Sequence, residues 1–204
     1  TLTVTSDFAG AWTLAAAGAA GAAVTGVETV NLQGGTSTGA VTMFAGAATV
    51  NLTSVSGQVG GGVILGTGGQ TVNVLGTTSG VYTITDGAGK DFVDLTGVGA
   101  AGGAVTVNAT TAANSLVTNY TTIKGFRAGA GVDVIDLPVG GTGALTLQNI
   151  VASTSEADLA AALTNAVAAA VTAAGTNYDA AGDIVLVNIT SGTAAGTYLV
   201  SNQG

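Results

Sequence analysis

Val30-Asn31-Leu32 returns as Val50-Asn51-Leu52, Val72-Asn73-Val74, Val93-Asp94-Leu95 and, further on, Ile135-Asp136-Leu137. The central polar residues are 20, 22, 21 and 42 apart, the last step being twice 21. Each unit alternates apolar, polar, apolar, the period-two signature of a strand with one face buried. A second series lies between them at Val41-Thr42-Met43, Val63-Ile64-Leu65, Val81-Tyr82-Thr83-Ile84 and Val105-Thr106-Val107. Two short strands per repeat predict a mainly β fold, a parallel β-solenoid of about 21 residues per coil, each coil about 4.8 Å above the last. A thin coil wants small and β-branched residues inside and corners that tolerate positive φ. Gly34-Gly35, Gly60-Gly61-Gly62, Gly68-Gly69 and Gly102-Gly103 supply such corners. Asn31, Asn51, Asn73 and Asp94 are expected to stack as a ladder along one face. The alternation also fits an antiparallel β-sandwich, the alternative fold. Near position 115 the repeat weakens, because Asn114-Ser115-Leu116 lacks the first apolar residue. A break or bulge in the coil is expected there.

Composition narrows the chemistry. The 204 residues include 3 Lys+Arg against 11 Asp+Glu, no His and no Cys, for a net charge of −8. Imidazole bases, thiol nucleophiles, thiolate metal sites and disulfides are excluded. Lys90, Lys124 and Arg127 are too few cations to grip a phosphate backbone, so no nucleic-acid partner is expected. The hydrophobic fraction of 47% is carried by Ala and Val broken up by Gly, Thr, Ser and Asn. No run of about eighteen apolar residues results, so no transmembrane segment is expected. Thr1-Leu2-Thr3-Val4-Thr5 reads as a strand rather than a signal peptide, and the chain reads as a piece excised from something longer. An edge strand at either end is expected to need a partner chain.

One helix stands out. Ser153-Thr154-Ser155-Glu156 has the form of a capping box, and Leu159, Leu163, Val167 and Val171 follow at i+4 spacing. Gly175 is a plausible stop, giving a helix over about 155–174. Beyond it, residues 183–189 and 197–200 read as strands of a closing hairpin around Ser191-Gly192. The chain therefore divides into a repeat region, 1–119, and a C-terminal module, 120–204.

Gly87-Ala88-Gly89-Lys90-Asp91-Phe92-Val93-Asp94-Leu95 parallels Gly129-Ala130-Gly131-Val132-Asp133-Val134-Ile135-Asp136-Leu137 at a separation of 42. Both resemble the glycine-rich calcium nonapeptide of secreted RTX proteins, in which glycines turn backbone carbonyls toward the ion and a carboxylate completes an oxygen shell. Asp86 and Ala128 stand where that motif has its first glycine. The resemblance implies Asp86, Asp91, Asp94, Asp133 and Asp136 as calcium ligands at one or two irregular sites. Glycine corners with solvated or turn-bonded aspartates are the alternative. Residues 123–137, Ile-Lys-Gly-Phe-Arg-Ala-Gly-Ala-Gly-Val-Asp-Val-Ile-Asp-Leu, are similar to the segment opening the C-terminal module of type I-secreted RTX and S-layer proteins, with Gly125 where the family has Asp. Gly26-Val27-Glu28-Thr29-Val30-Asn31-Leu32 resembles the repeat units of Gly/Ala/Thr/Val-rich bacterial S-layer proteins.

These resemblances imply a secreted, extracellular structural subunit that self-assembles into a surface layer or filament, with calcium as its one cofactor and a cell-surface polysaccharide as a further partner. The alternative is the secretion-proximal or binding module of a type I-secreted adhesin. No enzyme is expected. A polysaccharide hydrolase or lyase would have to use Asp91 and Asp94, read as lying together on an exposed strand face without a cleft.

Overall fold

The period-two units become strands because β-branched residues fit a pleated surface with one face buried. The computed structural model describes residues 2–4, 12–13, 29–33, 41–43, 48–53, 62–75, 82–100, 102–111, 116, 119–129, 132–138, 146–150, 159–165, 168, 183–189 and 195–201. The chain divides into two compact units, Thr1–Asp136 and Leu137–Gly204.

In chain order the first unit contains β1 (Leu2–Val4), β2 (Trp12–Thr13), β3 (Thr29–Gln33), β4 (Val41–Thr42), β5 (Thr49–Thr53), β6 (Val63–Ile64), β7 (Thr71–Val74), β8 (Tyr82–Thr85), β9 (Phe92–Asp94), β10 (Val105–Asn108), β11 (Thr122–Lys124) and β12 (Val134–Asp136). Successive strands alternate between two six-stranded sheets. Odd strands run in the order β1-β3-β5-β7-β9-β11, even strands in the order β12-β10-β8-β6-β4-β2. Every pairing in the two sheets is parallel. An antiparallel sandwich therefore does not describe this unit. Parallel neighbours need a crossover, and here the crossover is itself a strand of the other sheet.

Register follows the alternation. Asn31 pairs with Asn51, Asn51 with Asn73 and Asn73 with Asp94, so the expected ladder is formed. The flanking column Val30, Val50, Val72, Val93 is fully buried. Val41, Val63 and Ile84 of the second sheet are equally buried, and residues of both sheets join in one hydrophobic core. Burying each such side chain contributes about 1.5–3 kcal/mol.

The fifth unit departs from the expected stack. Ile135-Asp136 lies in β12, whose register partners are Val107 and Asn108 of the second sheet. The rung beyond Asp94 is instead Lys124 of β11. Asp94 to Lys124 is 30 residues and Lys124 to Asp136 is 12, so the multiple of 21 is the sum of one long and one short connection between strands. The weak repeat near 115 falls in the long one. Because β11 and β12 pair with β9 and β10, the first unit runs to Asp136, past the 119/120 boundary read from the repeats.

Two corners explain their glycines. Gly68 and Gly89 have φ of 110° and 137°, in the region L side chains rarely adopt. A Cβ on Gly89 would lie 2.7 Å from the Gly68 carbonyl carbon. The expected corners at 34–35 and 60–61 lie outside the described residues.

The second unit contains β13 (Thr146–Ile150), β14 (Ile184–Ile189) and β15 (Gly196–Ser201). β14 and β15 form the expected antiparallel pair, and β13, absent from the sequence reading, joins β14 in parallel. Val185, Val187 and Ile189 are buried on alternate positions of β14. Residues 159–165 are helical, with Leu159 and Ala162 buried and the Thr164 hydroxyl donating to the Ala160 carbonyl at 2.8 Å. The capping box, Val167, Val171 and Gly175 lie outside the described residues.

Candidate functional site

The odd sheet carries a polar ladder. Asn51 Nδ2 donates to Asn31 Oδ1 and Asn73 Nδ2 donates to Asn51 Oδ1, each at 2.8 Å. Parallel in-register strands place identical side chains one above another, so each amide can spend a donor on the rung below it. The ladder ends in charge. Asp94 Oδ1 accepts from the Thr96 backbone N–H at 2.9 Å and from the Thr96 hydroxyl, and Oδ2 lies 3.2 Å from Lys124 Nζ. The Thr96 bonds, hydroxyl first, and then the lysine hold the Asp94 carboxyl below its ordinary range. The strands β3 to β8 and β10 contain no charged residue.

The corner before β9 is acidic and buried. Asp86 is 3% and Asp91 is 1% exposed. Asp91 Oδ1 accepts from the Gln70 N–H at 2.8 Å, and Oδ2 from the Gly87 N–H at 3.3 Å. Gly87 N–H bonding to Asp91 repeats Gly66 N–H bonding to Gln70 Oε1 (2.9 Å), so Gln70 occupies the equivalent corner 21 residues earlier. On the other side Thr121 precedes β11 as Asp91 precedes β9, and its hydroxyl donates to Asp86 Oδ1 at 2.6 Å. Burial, reinforced by the hydrogen bond to Asp91 and by its charge, raises the Asp86 carboxyl to about 7, against the opposing bonds from Thr121 and the Gly87 N–H.

Asp133 has a cation of its own. Its side chain is fully buried. Arg127 Nη2 donates to Oδ1 at 2.7 Å, Nε to Oδ2 at 3.1 Å and the Arg127 backbone N–H to Oδ2 at 2.9 Å. Val105 N–H adds a bond to Oδ1 at 3.1 Å. The same guanidinium donates to the carbonyls of Gly99, Gly102 and Gly103. Burial pushes the Asp133 carboxyl up, and the bonds from Arg127 and Val105 outweigh it and leave it below its ordinary value; the Arg127 guanidinium is raised in turn, chiefly by its bond to Asp133.

The five candidate carboxylates thus separate. Asp86 and Asp91 meet, Asp94 sits with Thr96 and Lys124, Asp133 sits with Arg127, and Asp136 is exposed in register with Asn108. Among the described residues no three acidic side chains converge. The two glycine-rich motifs lie at different corners, one leading from the even sheet to the odd, the other from odd to even. Nor do Asp91 and Asp94 share an exposed face. Three residues apart on an extended chain, they point to opposite sides, and Asp91 is buried. Arg127, Thr121 and Gln70 complete these clusters, and repeat spacing did not single them out. The one signal was that Arg127 is the single arginine in 204 residues. Among the described residues no helix is long and apolar enough to cross a membrane. No family of known proteins, no curated protein and no solved structure matches the chain.

Proposed function

We propose that the chain is a structural subunit of a self-assembling extracellular surface layer or filament, its first unit a parallel β-solenoid. The alternation of twelve strands between two parallel sheets supports the solenoid. The observation that carries the function is the neutral outer surface of β3 to β8 and β10. A solitary soluble domain ordinarily keeps a mixed, heavily charged exterior. Here the polar face bears Thr and Asn, and its amides already bond one another. Covering such amides costs less than covering unpaired ones, because the donor and acceptor spent in each ladder bond need no new partner. Thr and Asn also lose less rotamer entropy than Lys or Glu when packed against a neighbour. A second copy of the same face meets these conditions.

The test is light scattering and electron microscopy of the purified chain from about 0.05 to about 1 M salt, with and without calcium. Contacts made by packing and neutral hydrogen bonds persist at high salt, whereas charge pairing is screened beyond about 8–10 Å. A monomer at every concentration, or assemblies that dissolve as salt rises, defeats the proposal. Loss only on calcium removal assigns the contacts to coordination. Monomers that attach to a cell-surface polysaccharide favour the adhesin module instead.

A further inference from the structure

We propose that Asp94 and Lys124 terminate the polar ladder of the odd sheet and make the outer edge of β11 a built-in stop against the addition of a further strand. The interior of the stack is a template for such addition. Its strands are parallel and in register, and β3 to β8 carry no charge. These features let one strand recruit the next. β11 is the last strand of its sheet, with β9 as its one neighbour among the described residues. The Thr122 N–H donates to the Asp91 carbonyl and the Lys124 carbonyl accepts from the Leu95 N–H, each at 2.8 Å. Adjacent residues of a parallel strand bond to opposite neighbours, so the Ile123 N–H and carbonyl face the open side.

The ladder has a direction. Asn51 donates to Asn31 and Asn73 to Asn51, so each amide gives its proton to the preceding rung and offers its oxygen to the following one. An amide can continue this series because it both donates and accepts. Asp94 is next in register and cannot, since at neutral pH its carboxylate has no proton to give to Asn73 Oδ1. Its oxygens accept from Thr96 and from Lys124 instead. Lys124, on the final rung, has the opposite lack. Its ammonium donates back to Asp94 Oδ2 at 3.2 Å and offers no acceptor outward. An Asn on an added rung, its donor directed inward like the others, would meet an ammonium whose side chain is 59% exposed. The even sheet closes in the same way. Asp136 holds its last position in register with Asn108 and is exposed, and Pro138 follows two residues on. Charge on an edge strand and proline beside it both oppose pairing with another chain.

The stop concerns the end of the stack and stands whether or not the neutral faces assemble. The readout is hydrogen exchange in the full chain, expressed as protection relative to intrinsic exchange. In the unaltered chain the Ile123 amide should be at least about a hundredfold less protected than Val93, one rung below it in the same column. Asp94→Asn combined with Lys124→Asn carries the ladder through both rungs. That chain should bind thioflavin T, form fibres and protect Ile123 as they grow. Lys124→Arg keeps donors without an acceptor and should behave as the parent. Lys124→Gln, a single change at an exposed side chain, restores an acceptor on the final rung and should show the same gain to a smaller degree. Association through the faces instead raises light scattering while Ile123 still exchanges, so the two readings fail separately. An Ile123 amide already protected in the unaltered chain means the edge is covered, and overturns the proposal. So does a Lys124→Gln chain, or a folded double variant, that matches the parent in thioflavin binding and in exchange at Ile123.

Discussion

Replacing Arg127 by alanine isolates the largest electrostatic commitment in the first unit. The variant leaves Asp133, fully buried at its side chain, with Val105 N–H and the Arg127 backbone N–H as its remaining bonds. Three carbonyls, of Gly99, Gly102 and Gly103, lose a donor together. Removing one partner of a buried ion pair costs about 3–5 kcal/mol, because the other charge remains desolvated. For a unit of this size that corresponds to a midpoint lower by about 10–18 °C. The assay is urea and thermal unfolding of the full chain at neutral pH. Arg127→Lys should recover only part of the loss, since a single ammonium cannot reproduce the planar fork. The double variant Arg127→Met with Asp133→Asn removes both charges yet keeps an acceptor for Val105 N–H, and should be more stable than Arg127→Ala alone.

The pH dependence gives the same pair a second signature. The Asp133 carboxyl is lowered in the folded chain, so its stabilisation is present above the unfolded value of 3.8 and is lost as pH falls through the folded one. Arg127→Ala should abolish that acid-side loss. An Arg127→Ala midpoint within about 1 kcal/mol of the parent, with the acid limb unchanged, would refute the assignment of Arg127 as a staple.

Val72→Ala, on the fully buried apolar column, should cost about 2–3 kcal/mol in unfolding by urea; Leu75→Ala, at a residue 56% exposed, should change stability by less than about 0.5 kcal/mol. Gly89→Ala should destabilise by more than about 1 kcal/mol, because φ of 137° and the Gly68 backbone both oppose a Cβ; an unchanged midpoint would mean the corner can rearrange. Asn51→Asp puts a charge in the middle of the ladder and removes the amide donor to Asn31. It should cost about 1 kcal/mol in stability while weakening self-association measured by light scattering at low salt, and undiminished assembly would remove the Asn face from the contact.

The ladder was legible in the sequence because period two fixes which side each residue faces, and a nearly constant step fixes what it stacks upon. Val30, Val50, Val72 and Val93 obey both conditions, and so their burial follows. β11 keeps the alternation, with Ile123 in register with Val93, but fails the step: its ladder position is Lys124 rather than Asn, and 30 residues separate it from Asp94. Ile135-Asp136-Leu137 matches the motif, so periodicity favoured it for a rung it does not occupy. Local pattern identifies a strand, but the sheet it joins depends on the length of the intervening coil. The glycine-rich segments 87–95 and 129–137 are spelled alike, yet the chain crosses between the sheets in opposite senses there.

Charge placement links this local geometry to the assembly reading. The described charged side chains of the first unit are all at Asp86 or beyond, while β3 to β8 carry none. Four of those charges form ion pairs within the chain: Arg127 with Asp133 and Lys124 with Asp94. Charges paired internally repel a neighbouring copy less than free ones, and the strands β3 to β8, which carry none, avoid the desolvation cost that charged faces incur on contact. Partly compensated charges from Asp86 onward and a neutral, self-bonded Asn ladder on β3, β5 and β7 form an arrangement suited to being covered. A chain kept apart by its surface would need the reverse, with free charge spread along the faces. Adding uncompensated charge at Asn51 therefore tests the placement itself, because it leaves the core column and the Arg127 staple untouched.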